Sequence, residues 1–420
     1  MHNSIAYKLA QLPPSSLFVG IDSHKRQHTV CVIDQKVQVL AKFRITNLRP
    51  GFADLLERCE TLRRQTGAAV CLFAIEPAAH YWRNLAYFLV EHKQDFRLIN
   101  PFTLKRQREG NDLNRRKNDY RDAQMAAELL REGKYTWTTL PQGAYATLRQ
   151  LHLTYQRLVR DHAQVLLRLT AALDQVFPEF LTVFKALDGA TALAILRCSL
   201  TPEQIAALRQ EDFVAQVRQR HEGQRLMVSK VCAVHARATQ SVGLRAGAEA
   251  LMAEVFLLTG QLLYVHHQRC YAEDQLVLAF AGFSESKYLL SIPGLGSLNG
   301  AGLLADIGDI RQYSSYKQLA KLAGVVPTQS QSADHSSART PMSKKGRALL
   351  RLVTHRAVVS LLRHNQVFQA YVQRLMTRPA GQHPLTKRAA MGAAMNKLLR
   401  IVYTLLHGQQ MFDAKKALAA

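Results

Sequence analysis

Along the first 135 residues, apolar positions fall in short β-rich runs separated by helical stretches. Phe18-Val19-Gly20-Ile21, His28 to Ile33 and Val37 to Phe43 read as successive strands of a meander. Ala69 to Ile75 and Phe96 to Ile99 are short apolar runs that follow helical segments. A meander followed by alternation of strands and helices predicts a mixed α/β sheet. From about Ala144 the period changes. Leu148, Leu151, Tyr155, Leu158, His162, Val165, Leu169, Ala172 and Val176 recur in alternating steps of three and four, a heptad seam closed by Pro178. A second apolar helix is predicted from Ala248 to Leu278, and Thr201-Pro202-Glu203-Gln204 between the two reads as a capping box with Pro at the first helical position. The middle of the chain therefore reads as an antiparallel helical arm with a helical insertion at its tip. Its seam suits packing within the chain and dimerisation equally.

A third region opens near Ser291 with Ile292-Pro293-Gly294-Leu295-Gly296 and a helix from Ala301 to Ile307. A Ser-rich loop from Thr328 to Pro341 and a basic helix from Lys344 follow. The expected class is α/β plus all-α. A flexible tail is expected over 1–16, the α/β domain over 17–143, the helical arm over 144–284, a mainly helical domain over 285–410 and a second tail over 411–420.

Charge narrows the function. The chain has 55 Lys and Arg against 31 Asp and Glu, a net charge of +24. Such an excess favours a polyanionic partner, because each phosphate neutralised releases condensed counterions. The sequence shows no Lys-rich amphipathic anchor and no apolar run of roughly 20 residues, so a membrane is not the expected partner. Six scattered cysteines without a CxxC pair read as reduced thiols of a cytoplasmic protein rather than as a zinc site or disulfide framework. The first residues, MHNSIAYKLAQLPPSS, lack the basic-then-apolar order of a signal peptide.

Against this basic background four acids stand out. Asp22 ends the first strand in FVGIDSHKRQHTVCVID, and Glu76 ends VCLFAI just before Pro77. Asp119 and Asp122, in RRKNDYRDAQMAAELL, share one helix face at i, i+3, and Ala123, Ala126 and Ala127 allow that helix to pack closely. Converging carboxylates raise one another's pKa unless cations compensate. Two Mg²⁺ ions about 4 Å apart would do so and would suit phosphoryl chemistry; Mn²⁺ serves oxygen ligands equally. Acids at two strand ends and on a helix match an RNase H-like nuclease arrangement. Lys105, Arg106, Arg108, Arg115, Arg116, Lys117 and Arg121 form a basic approach to the Asp pair, suited to a phosphodiester.

In the third region, Gly294 and Gly296 sit in a Pro-Gly-Leu-Gly turn of the kind that lets backbone N–H groups approach a phosphate. The following Ser-rich loop sets Ser330, Ser332, Ser336 and Ser337 before Lys344, Lys345 and Arg347. A serine flanked by cations has the chemistry to attack a phosphodiester, although such loops are commonly loops and nothing more.

Taken in order, GID, IEP, NDYRDA and SIPGLG…LLADIGDI…LAGVVP…SQS…MSKKG resemble the DEDD insertion-sequence transposases. That family includes the pilin-gene invertase and the bridge-RNA-guided recombinases. The resemblance spans nearly the whole chain. It implies that Asp22, Glu76, Asp119 and Asp122 form the metal-binding quartet of a RuvC-like domain, and that Ser332 is the nucleophile, with Ser330 as the alternative. It further implies a covalent phosphoserine link to DNA, a structured guide RNA, a coiled-coil arm serving assembly into a dimer of dimers, and a composite active site. Its double-stranded DNA partners would be element ends and target, met at the bacterial nucleoid. Two other readings stay open: a structure-selective, Mg²⁺-dependent nuclease such as a junction resolvase, which needs the acids but not Ser332, and a non-catalytic nucleic-acid-binding protein. The segment from Leu181 to Gly247 is longer than in the shortest relatives, and its basic residues suit either nucleic-acid contacts or plain packing.

Overall fold

A computed structural model describes residues 4–111, 118–137, 140–222, 225–328, 342–377 and 383–419, together with the backbone pairing of 331–332 with 335–336. The chain divides into two compact units, 1–140 and 141–420.

In the first unit, α1 (Ile5–Ala10) precedes β1 (Ser16–Ser23), β2 (Gln27–Ile33) and β3 (Val39–Thr46). Next come α2 (Arg49–Thr66), β4 (Val70–Glu76), α3 (Trp82–Glu91), β5 (Phe96–Leu98), α4 (Pro101–Asn111) and α5 (Asp119–Arg131). The strands lie in the order β3-β2-β1-β4-β5. The β1–β2 and β2–β3 pairs are antiparallel, as a meander requires, whereas β1–β4 and β4–β5 are parallel and joined through helices. All five strands fall where the hydrophobic runs predict them.

The central strand β1 is buried on both faces, and its period of two sorts its residues. Leu17, Val19 and Ile21 join Phe73 and Ile75 of β4 in one core, covered by Phe52 and Leu55 of α2 and Leu85 and Leu89 of α3. Phe18 joins Leu72 and Ala74 in the opposite core, under Leu104 of α4 and Ala123, Ala126 and Ala127 of α5. On this second face Gly20 is obligatory. A Cβ there would lie 1.8 Å from the Ala123 carbonyl oxygen and 2.7 Å from the Ala127 amide nitrogen. The bare backbone of β1 lets the alanine face of α5 sit against it.

The second unit begins with α6 (Gly143–Val176), followed by α7 (Phe180–Val183), α8 (Ala190–Leu196), α9 (Pro202–Ala207), α10 (Gln210–Arg220) and α11 (Val228–Ala238). Then come α12 (Ala248–Ala281), α13 (Ser286–Leu290), α14 (Ser297–Ile307), α15 (Tyr316–Ala323), the short strands β6 (Gln331–Ser332) and β7 (His335–Ser336), α16 (Ala348–His364), α17 (Gln366–Met376), α18 (Lys387–Gly408) and α19 (Ala414–Ala419). The 34-residue helices α6 and α12 pack antiparallel: Tyr145 hydrogen-bonds Glu285 near one end, and Arg168 meets Gln261 farther along. Two cores form along this pair. One gathers Val165, Leu169 and Val176 with Val255, Leu258 and the small helices α7–α11. The other gathers Leu148 and Tyr155 with Leu276, Phe280 and the helices from α13 onward. The capping box at Thr201 forms as its sequence predicts: Gln204 N–H donates to Thr201 Oγ1 at 3.2 Å, and Thr201 N–H to Gln204 Oε1 at 2.9 Å.

Three features differ from the sequence expectation. At the N-terminal end, α1 is docked rather than loose, because Lys8 is buried with its ammonium on the Tyr135 carbonyl. At the other end, Lys397 Nζ donates to the Ala417 carbonyl at 2.7 Å and holds α19. Third, α12 is long and apolar enough to cross a membrane by length and composition. About a third of its most apolar stretch is buried, and Leu258, Leu262, Leu276 and Phe280 are among its buried residues.

Candidate active site

Period-two placement builds the acidic site. Phe18, Gly20 and Asp22 face α5, and their register partners on β4 are Leu72, Ala74 and Glu76. Asp22 and Glu76 therefore end neighbouring parallel strands side by side on the face that α5 covers. Asp119 and Asp122 occupy the first turn of α5, behind the cap in which Asn118 accepts the Tyr120 N–H. The positive end of the helix favours carboxylates there. The close contact at Gly20 brings that turn to the strand ends.

Asp22, Glu76 and Asp122 line one cleft of about 520 Å³, together with His24, Lys105 and Arg108. Asp22 is 5% exposed and Asp122 is 1% exposed. Arg108 of α4 compensates Asp122, with Nη2 2.7 Å and Nε 3.0 Å from its Oδ1. Asp119 is half-exposed and lies 3.7 Å from Arg44 Nη2. Among the described residues, Asp22, His24 and Asp119 each offer one ligand atom, all within 4.8 Å of one another. His24 is the residue that sequence reasoning missed. The signal was the strand period, which carries Asp22's face on to position 24. Its backbone N–H donates to His28 Nδ1 at 3.2 Å. His28 is fully buried, stacks on Phe52 at 5.9 Å and is pushed down to about 4 by burial, which keeps its imidazole neutral and able to accept that bond.

A divalent cation fits this donor set. Hard carboxylate oxygens from two strands and a helix converge, and buried like charges of this kind call for a compensating cation.

The expected nucleic-acid residues take different positions. Lys105 and Arg108 line the acidic cleft. Arg106 lies over the Phe102 ring at 4.5 Å, and Arg121 directly precedes Asp122 on α5. Arg115, Arg116 and Lys117 lie outside the described residues. Gly294, at φ +89°, packs on the end of α16: Ser360 Oγ donates to its carbonyl at 2.8 Å, and Asn365 Nδ2 to that of Pro293 at 3.0 Å. Gly296 is the N-cap residue of α14. Lys344 and Lys345 are exposed. Arg347 turns inward, where its guanidinium donates to the Asp306 carbonyl and burial lowers its pKa. Ser332 belongs to β6, whose backbone pairs with β7, and Pro327 bridges Met342 across the same segment. The Ser332 side chain lies outside the described residues, as do Ser330 and Ser337 and the side chain of Ser336.

Comparison with known proteins agrees with this layout. The sequence model of the DEDD transposases of IS110 matches residues 19–178, and that of the transposase IS116/IS110/IS902 family matches 286–373. The mini-circle IS117 protein of Streptomyces coelicolor is 28% identical over 325 residues, 74% of this chain and 76% of that protein. The pilin gene-inverting protein of Moraxella bovis is 33% identical over 129 residues, 30% of this chain and 38% of that one. The transposase for insertion sequence element IS1111A of Coxiella burnetii is 32% identical over 92 residues, 22% of this chain and 25% of its own length. Matched at both ends by models of one family, the chain belongs to the IS110/IS116 transposases and is a DNA recombinase of insertion sequences.

Proposed function

We propose that this recombinase cuts and rejoins DNA through a covalent phosphoserine intermediate, with an RNase H-like, RuvC-like carboxylate centre assisting the chemistry. The observation that carries the reading is the convergence of Asp22, Glu76 and Asp122 on one cleft walled by Lys105 and Arg108. The strand order β3-β2-β1-β4-β5, three antiparallel strands followed by two parallel ones, supports an RNase H-like assignment. Asp22, Glu76, Asp119 and Asp122 would hold one or two Mg²⁺ or Mn²⁺ ions. Bound there, such ions supply electrostatic stabilisation of charge developing on phosphate oxygens. Lys105 and Arg108 would hold the phosphodiester against the acids.

In this reading Ser332 Oγ attacks a DNA phosphorus. One P–O bond forms to serine as one breaks to the departing strand, whose oxygen leaves as a hydroxyl carrying the serine proton. A hydroxyl from the exchanged strand then attacks the phosphoserine and releases Ser332, so the phosphodiester is restored without an external energy source. Exposed Lys344 and Lys345 follow the serine segment, where cations would stabilise charge on the phosphorane.

Assembly and guidance complete the proposal. On α12, Leu257, Tyr264, Tyr271 and Leu278 recur every seven residues and are 64–69% exposed. A heptad stripe left bare by the α6–α12 pair supports a coiled-coil arm that joins protomers, and beyond it a dimer of dimers with composite sites. A structured guide RNA, taken from the family resemblance, accounts for a net charge of +24 without a sequence-reading domain. Action in the cytoplasm, on double-stranded element ends and target, follows from the same reading. The test is Asp119→Asn. It should abolish cleavage of DNA carrying the element junction while the thermal unfolding midpoint is kept; full cleavage by a folded variant would overturn the carboxylate assignment.

A further inference from the structure

We infer that His24 is a direct metal ligand of this centre, and that its imidazole biases the site towards a nitrogen-accepting first-row ion such as Mn²⁺ over Mg²⁺. The inference rests on the proposed carboxylate metal site and adds a donor that a purely acidic quartet does not contain. Two observations carry it. His24 shares a group of candidate ligand atoms with Asp22 and Asp119, all within 4.8 Å. Its Nδ1 lies 3.8 Å from Asp22 Oδ1. Around an octahedral ion with bonds near 2.1 Å, neighbouring ligand atoms stand about 3 Å apart and opposite ones about 4.2 Å, so the His24–Asp22 pair at 3.8 Å would close by about 0.8 Å to take neighbouring positions.

The second observation is how His24 is held. It directly follows β1 and lines the same cleft as Asp22. Its backbone is pinned by the bond from its N–H to buried His28 Nδ1. That fixes the turn without using the His24 ring, and the side chain, 43% exposed, remains at the mouth of the cleft.

Ligand chemistry sets the consequence. Mg²⁺ takes oxygen ligands and gains little from imidazole, whereas first-row transition ions accept nitrogen readily. The experiment uses the full-length protein and Mn²⁺ as probe at fixed pH. Electron spin echo modulation reads nitrogen bound directly to Mn²⁺, and titration gives the Mn²⁺ and Mg²⁺ affinities of wild type, His24→Asn, Asp22→Asn and, as control, His80→Asn, an exposed histidine whose ring lies against Tyr81. The wild type should show ¹⁴N modulation, retained in His80→Asn. His24→Asn should lose it and bind Mn²⁺ about 10-fold or more weakly, with Mg²⁺ affinity changed less than about threefold. The His24 side chain is 43% exposed, and an unchanged unfolding midpoint shows that the variant folds. Mn²⁺ that binds in an Asp22-dependent way without ¹⁴N modulation, or modulation that survives His24→Asn, would overturn the inference and leave the carboxylate site standing. No Asp22-dependent Mn²⁺ binding at all would overturn both.

Discussion

Replacing Gly20 by alanine adds one methyl group at the tightest point of the first unit. The new Cβ would stand 1.8 Å from the Ala123 carbonyl oxygen and 2.7 Å from the Ala127 amide nitrogen, where real Cβ contacts stop near 3.0 Å. Both clashes are with helix backbone, so no side chain can rotate away. The helix α5 must retreat from β1 by about 1.2 Å or more. Overpacking a core by a methylene costs roughly 1–3 kcal/mol, and a backbone clash places this variant at the upper end, about 3 kcal/mol. For a unit of this size that lowers the unfolding midpoint by roughly 10 °C. The same retreat carries Asp119 and Asp122 away from Asp22 and Glu76. A displacement of about 1 Å in a catalytic constellation costs on the order of 100-fold in rate. The assay is thermal unfolding followed by circular dichroism, with strand cleavage measured well below the midpoint. Gly189→Ala, where an added Cβ meets nothing within 4 Å, is the control. A Gly20→Ala protein with a midpoint within about 2 °C of wild type and undiminished cleavage would refute the claim that this contact assembles the acids.

Further consequences follow elsewhere in the chain. Asp306 is 1% exposed and bonds Arg149 at 2.9 Å, beside the inward-turned Arg347. Asp306→Ala removes the buried carboxylate that Arg149 bonds and should cost about 3–5 kcal/mol in urea unfolding; a loss below about 1 kcal/mol would contradict the pairing. His28 is held down to about 4 and His152 is also lowered, both chiefly by burial. Each binds a proton more readily when unfolded, so stability should be intact above about pH 6.5 and fall as pH drops towards 4. Urea midpoints that stay level across that window would remove the neutral histidines from the account. Replacing Tyr264 and Tyr271 by glutamate, both exposed on α12, should lower the oligomeric state seen by light scattering while the helix content remains. An unchanged oligomer would exclude the stripe as an assembly surface.

The features legible in the sequence were those set by local periodicity. Continuous apolar runs gave the five strands, because β1 and β4 are buried on both faces and need no polar alternation. A heptad seam gave α6, and Thr201 with Gln204 gave the α9 cap. Pairing across long connections was hidden. That Asp22 sits opposite Glu76 depends on the parallel registration of β1 and β4 across α2, which no local pattern encodes. Nor did the basic residues reveal their roles by type. Arg108 and Arg347 look alike in the sequence, yet one compensates Asp122 in a cleft and the other donates to a buried carbonyl. The terminal segments looked loose because their anchors, Tyr135 for Lys8 and Lys397 for Ala417, lie far away in sequence. His24 joins the site only because the fold brings Asp119 of α5 to it and to Asp22, a proximity that the sequence does not encode.

The central claim is the covalent step at Ser332, and it is open to direct measurement. The protein is purified with the RNA that accompanies it, given Mg²⁺ and labelled DNA carrying the element junction, and denatured. The account predicts a labelled protein–DNA adduct that survives denaturation and is absent in Ser332→Ala, with nucleic-acid binding retained. Divalent-ion-dependent cleavage without any adduct, or an adduct that persists in Ser332→Ala, would contradict it; the first result would make the carboxylate cleft that of a nuclease.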